Sequence, residues 1–151
     1  MPTLKLTLRE DLHVAMRARD ELRTATIRMV LSAITNEEVA GEVARELSQD
    51  ELLVVLRREA KKRREAATAF ADGGRPERAE RELAELAVVE GYLPAQLDDA
   101  DLAGLVTAAI TESGASGPKA MGQVMKAVQA SVAGRADGGR VSSEVRRQLA
   151  G

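Results

Sequence analysis

The basic residues gather in two places. The first is Arg57-Arg58-Glu59-Ala60-Lys61-Lys62-Arg63-Arg64-Glu65, six bases and two acids in one run. On a helix Arg57, Lys61 and Arg64 fall on one stripe, a geometry that can follow a phosphate backbone. The alternative is a solvated helix face balanced by Glu77, Glu80, Glu82 and Glu85 of the next segment, with Glu59 and Arg63 pairing across one turn for about 0.3 kcal/mol. The second place is the tail. Residues 113–151 carry six bases (Lys119, Lys126, Arg135, Arg140, Arg146, Arg147) against Asp137 and Glu144, a net +4, whereas residues 1–97 carry 16 bases and 18 acids. Two short helices joined by Gly134-Arg135-Ala136-Asp137-Gly138-Gly139 can present backbone N–H groups and these bases to phosphates, with Gly134 and Gly138 allowing close approach. Ordinary surface charge on a small helical module is the other reading.

Other chemistries have little to stand on. The glycine-rich tail segment has neither the Lys-Ser/Thr pair nor the preceding strand of a P-loop. His13 is the single histidine and lies on the polar side of a helix, two residues from Asp11. Glu37-Glu38 and Asp98-Asp99 are sequence neighbours, so each pair points to different faces of a helix and suits capping better than paired acid–base work. Met121 and Met125 share a helix face and read as core. With no cysteine in 151 residues there is no thiol nucleophile, disulfide or zinc finger, and one histidine excludes multi-histidine metal sites. One Phe, one Tyr and no Trp argue against an aromatic platform for single-stranded bases. No nucleophile–base–orienter set can be assembled from spacing, so no catalytic residue, metal ligand or cofactor is assigned.

The elements that position these residues are helices. Ala alone accounts for 26 residues, and most of the rest are good helix formers. Apolar positions recur at helical spacing. The spacing predicts a helix over 3–19 with Leu4, Leu8, Leu12, Ala15 and Met16 inward, although Leu4, Leu6 and Leu8 also alternate as a strand would. A second is predicted over 20–39 with Leu22, Ala25, Thr26, Met29, Val30, Ala33 and Ile34. Ser48 followed by Glu51 is a capping box opening a third, with Leu52, Leu53, Leu56, Ala60, Ala67 and Phe70 inward and Gly73-Gly74 as its stop. The fourth starts near Pro76 with Leu83, Leu86, Ala87 and Glu90 on its moderately apolar face, and ends at Gly91-Tyr92-Leu93-Pro94. Asp98 or Asp99 caps a fifth carrying Leu102, Leu105, Val106, Ala109 and Ile110. Ser116 is the expected cap of a sixth with Met121, Val124, Met125, Val128 and Val132, and a seventh is predicted over 142–150 with Val145 and Leu149 inward. The fold class is therefore all-α, with about four helices in a larger N-terminal part, residues 1–95, and three in a small C-terminal part, residues 96–151. No apolar run reaches the roughly 20 residues needed to cross a bilayer. MPTLKLTLREDLH carries charges where a signal peptide has its apolar region, so a cytoplasmic location is expected.

Several segments together resemble the GatB/YqeY family in its small free-standing, YqeY-like form. They are Arg23-Thr24-Ala25-Thr26-Ile27-Arg28-Met29-Val30-Leu31-Ser32-Ala33-Ile34, then Arg58-Glu59-Ala60-Lys61-Lys62-Arg63-Arg64-Glu65-Ala66, then Glu82-Leu83-Ala84-Glu85-Leu86 leading into Tyr92-Leu93-Pro94-Ala95-Gln96-Leu97. Met121-Gly122-Gln123-Val124-Met125-Lys126 and Gly134-Arg135-Ala136-Asp137-Gly138 complete the set, in the family's order and over nearly the whole chain. Lys126 stands where that pattern commonly has Gly.

The resemblance implies kinship with the tail of the B subunit of tRNA-dependent amidotransferase, a carbon–nitrogen ligase with glutamine as amido donor. There the tail is similar to a tRNA-contacting module and catalysis lies elsewhere. The function it implies is a non-catalytic tRNA-binding accessory module. Its contacts are expected at Lys119, Lys126, Arg135, Arg140, Arg146, Arg147, Gly134 and Gly138, with Arg57, Lys61 and Arg64 as a secondary stripe. Two rival readings are a component of such a ligase acting with an amidotransferase or aminoacyl-tRNA synthetase partner, and a protein–protein adapter.

Overall fold

The structure is a computed structural model that describes residues 3–150. Among the described residues seven α-helices follow one another, α1 (Leu4–Arg17), α2 (Glu21–Glu38), α3 (Gln49–Asp72), α4 (Pro76–Glu90), α5 (Asp99–Ser113), α6 (Met121–Val132) and α7 (Gly138–Ala150), with a 3-10 turn at Pro118–Ala120. No strand occurs among the described residues, so the alternation of Leu4, Leu6 and Leu8 is absorbed by α1. The chain divides into two compact units, Met1–Leu93 and Pro94–Gly151.

The first unit is a four-helix body. Three of its helices start where a side chain satisfies a free backbone N–H group. Thr3 accepts from the Leu6 amide, Asp20 from the Arg23 amide, and Ser48 and Glu51 form the reciprocal capping box. Pro76 occupies the first turn of α4. The α3–α4 hairpin turns through Gly73 and Gly74, the latter at φ +73°, where a Cβ would be strained. Leu8, Ile27, Val30, Ile34, Leu56 and Val89 form the heart of the core.

The second unit packs α5, α6 and α7 around Leu102, Val106, Val124, Val128, Val132, Val141 and Val145. Asp98 caps α5 by accepting from the Asp101 amide, and Gly114 ends it in the left-handed region at φ +65°. Ala133 and Gly134, at φ +49° and +77°, terminate α6. Leu97 is clasped to the α6–α7 turn, its amide donating to the Arg135 carbonyl at 2.8 Å and its carbonyl accepting from Arg140 Nη2 at 2.9 Å.

Several expectations are corrected. Met16, Met29 and Leu83 face outward, at 45%, 41% and 52% exposure, because the apolar stripe on each helix is wider than the surface its neighbours cover. Ser116 does not cap α6. The chain enters that helix through the Pro118–Ala120 turn, with Gly117 at φ +76° and no side-chain cap at Ala120. The last helix begins at Gly138 rather than Ser142, since the Asp137 side chain accepts from the Gly139 amide at 2.6 Å and organises its first turn. Glu59 and Arg63 are not a solvated pair. Both are buried.

Candidate functional site

The six tail bases fall into two groups. Arg135, Arg140 and Arg147 are held by internal contacts. Arg135 donates from Nε to the Val132 carbonyl and from Nη2 to the Ser131 carbonyl, closing the C-terminus of α6. Arg140 donates to the Leu97 carbonyl and pairs with Asp99 Oδ1 at 3.0 Å. Arg147 donates through Nε to Glu144 Oε2 at 2.9 Å, and its second nitrogen reaches the other carboxylate oxygen. That fork, followed by the bond from the Gln148 amide, holds the Glu144 carboxyl down at about 2, and Glu144 in turn raises Arg147. Lys119, Lys126 and Arg146 are exposed and make no ion pair among the described residues. Lys126 stands half a turn round α6 from the buried Val124–Val128 row.

The structure brings Arg140 and Arg147 to one groove between α5 and α7. The groove encloses about 650 Å³, and Asp99, Ser143 and Glu144 share its walls. Lys119 and Lys126 do not line it. Gly134 serves to terminate α6, and Gly138 is the first residue of α7 with open space at its Cβ position. The N-terminus of α7 is not an empty anion cradle, because Asp137 already places a carboxylate on its second amide.

The secondary stripe follows the outer edge of α3. Arg57 is half-buried, Lys61 is exposed, and Arg64 Nε lies 3.9 Å from Glu90 Oε1. Beside it, Arg58 pairs with Glu37 at 3.4 Å. His13 is exposed on α1. No cluster of three or more metal-ligating side chains occurs among the described residues, and no helix is long and apolar enough to cross a membrane.

Two arrangements escaped the sequence reading. The first is a buried ionic cluster between α3 and α4. Arg63, with its side chain 7% exposed, donates from Nη1 to the Glu59 carbonyl at 3.0 Å and to Glu59 Oε1 at 3.3 Å. Its Nε has no hydrogen-bond partner and lies 3.8 Å from Glu85 Oε2. Lys62 and Arg81 close on the same two carboxylates from the rim, at 3.3 and 3.6 Å. Nearby, burial and then the charge of Glu85 push the Glu82 carboxyl up. The signal was available, since Leu52, Leu56, Glu59, Ala60, Arg63 and Ala67 share one helical phase. The second is at Tyr92, whose hydroxyl donates to Asp11 Oδ2 and accepts from Arg23 Nη2 at 3.2 Å. Burial and then the bond to Asp11 push the phenol up to about 12. No local pattern signals this contact between residues 69 and 81 positions apart.

Residues 5–149 match the family described as Yqey-like protein. Two curated relatives are similar over part of the chain. "Altered inheritance of mitochondria protein 41, mitochondrial" of Lachancea thermotolerans is 33% identical over 86 residues, 57% of this chain and 46% of that protein. Its namesake in Kluyveromyces lactis is 34% identical over 85 residues, 56% of this chain and 45% of that protein. The match thus spans less than half the length of either relative.

Proposed function

The chain belongs to the YqeY-like family, and from that premise we propose that it is a non-catalytic RNA-binding accessory protein whose ligand is tRNA and whose setting is the cytoplasm. The observation that carries this reading is the tail's net +4 with Lys119, Lys126 and Arg146 left exposed and without internal carboxylate partners. Bases free of internal pairing can exchange their counterions for phosphates. Arg140 and Arg147 add a groove wall whose charges are partly matched by Asp99 and Glu144. The single Tyr and single Phe favour structured RNA read by shape over unstacked bases. Kinship with the tail of a tRNA-dependent amidotransferase subunit supports tRNA as the ligand. Within such an assembly this chain supplies substrate contact and a partner subunit supplies chemistry.

The test is binding of the purified chain to bulk tRNA across a salt series. Affinity tighter than the roughly 10⁻⁶ M end of the non-specific range, falling steeply with salt, supports the reading. Joint charge reversal, Lys119→Glu with Lys126→Glu, flattens the salt slope by about two phosphate contacts. Absence of binding at low salt removes RNA as a direct ligand and brings the adapter reading forward. Arg135 is a poor target for this purpose, because its guanidinium closes α6.

A further inference from the structure

Helix α2 leaves one long face uncovered. At its N-terminal end a hollow of about 340 Å³ opens between α1 and α2, walled by Met16, Arg19, Glu21, Thr24, Ala25 and Arg28. A second hollow of about 430 Å³ adjoins it and is lined by Arg28, Leu31, Ser32, Thr35 and Asn36. Arg28 belongs to both. From Glu21 to Asn36 the face is about 22 Å long at 1.5 Å per residue, the length of a four-turn helix.

Its chemistry has three features. Arg28 is exposed and makes no ion pair among the described residues, and the hydrogen-bond contact of its guanidinium is the Met16 sulfur at 3.7 Å. Arg19 is likewise unpaired, and it sits at the mouth of the first hollow with φ +56°, a left-handed conformation that costs a non-glycine residue about 1 kcal/mol. Met16, in the wall of the first hollow, stands nearly half exposed with its sulfur against the Arg28 guanidinium. Against Glu21 the two arginines leave the face at +1, on a body whose charge is −2.

We propose that this face of α2 receives an amphipathic helix of another protein, with carboxylates toward Arg28 and Arg19 and small or aliphatic side chains seated in the two hollows. Charge complementarity selects an acidic helix, and the length of the face fits one of about four turns. The hollows over Thr24, Ala25 and Ser32 suit knobs about two turns apart, and the Met16 thioether adapts to apolar neighbours. A phosphate backbone would use the arginines and leave Met16 and the hollows without partners. The site lies wholly in the first unit and is independent of the RNA contacts proposed for the second.

The experiment is selection of the full chain against a library of helical peptides of about 18 residues. Enrichment of Asp or Glu together with Ala, Val or Leu at i, i+3/i+4 and i+7 is the expected result. Amide resonances of Thr24, Arg28, Ser32 and Asn36 should shift on adding the enriched peptide. Arg28→Glu and, separately, Ser32→Trp should each weaken it about tenfold or more with the helical circular dichroism unchanged. Failure to enrich any helix, selection of peptides without acids, shifts confined to other residues, or equal affinity for Arg28→Glu would overturn the proposal. So would bulk tRNA shifting these same resonances where peptides do not.

Discussion

Replacing Arg63 by Met tests how the buried cluster is held together. Met keeps most of the stem volume and removes only the guanidinium. Glu59 and Glu85, each 7% exposed, then face each other without the cation between them. Breaking a buried ion pair from one side destabilises by about 3–5 kcal/mol. Lys62 and Arg81 stay at the rim, 3.3 and 3.6 Å from those carboxylates, so the loss falls at the lower end, about 3 kcal/mol. Urea denaturation followed by tyrosine fluorescence is the assay. Tyr92 is the single tyrosine, there is no tryptophan, and Tyr92 belongs to the first unit, so the signal reports that unit alone. With a slope of about 1–1.5 kcal/mol per molar, the midpoint moves down by about 2–3 M. The triple variant Arg63→Met, Glu59→Leu, Glu85→Leu should return to within about 1 kcal/mol of the parent, since no charge is stranded. A loss below about 1 kcal/mol for the single variant would refute the reasoning. Equal losses for single and triple variants would assign the effect to packing instead.

Tyr92→Phe removes one hydroxyl bonded to Asp11 and Arg23, and should lower the first unit's stability by about 1–2 kcal/mol in thermal melts. With the folded phenol at about 12, above its ordinary value of 10, the neutral hydroxyl is the native form. Its contribution is therefore complete below pH 10 and lost as pH rises toward 12, which alkaline denaturation of parent and Tyr92→Phe will compare. Ser48→Ala breaks the capping box of α3 and should cost about 1 kcal/mol by urea titration. The Glu51 carboxyl, held down at about 2 by Arg45 and then the Ser48 amide, stabilises the fold above pH 4.5 and ceases to do so as pH falls toward 2. Glu51→Gln should remove that part of the acid dependence. Ala133→Gly relieves a left-handed φ of +49° and should raise the second unit's stability by about 0.5–1 kcal/mol, read from its amide exchange.

Where a helix begins with its own chemistry, the sequence locates it. Ser48 with Glu51, Asp98, and Pro76 mark α3, α5 and α4 at the residues observed. The start of α7 is hidden because Gly138 and Gly139 are poor helix formers, and only the Asp137 side chain on the Gly139 amide shows how they are recruited. Periodicity identifies a face but not its covered width, so Met29 and Leu83 share the apolar phase of their helices yet stand exposed. Charge misleads in the opposite direction at Glu59 and Arg63. Hydropathy sends both outward, whereas mutual neutralisation and the carbonyl bond of Arg63 let them enter. In the tail, a count of bases says nothing of their partners. Arg135, Arg140 and Arg147 each have internal obligations, while Lys119, Lys126 and Arg146 do not, and only folded geometry separates the two sets.

The core of the second unit is built mainly of valine, with Val106, Val124, Val128, Val132, Val141 and Val145 all at 0% exposure. In a helix a valine side chain already occupies one rotamer about nine times in ten, so burying six of them freezes little further motion. Long flexible side chains in the same places would lose far more rotational freedom on packing. A unit of only 58 residues has little apolar area to spend on that loss. The same stiffness carries a consequence for substitution. A branched side chain fixed at its first torsion cannot swing into a neighbouring gap, so Val→Ala at these sites leaves voids that the surrounding valines are poorly able to fill.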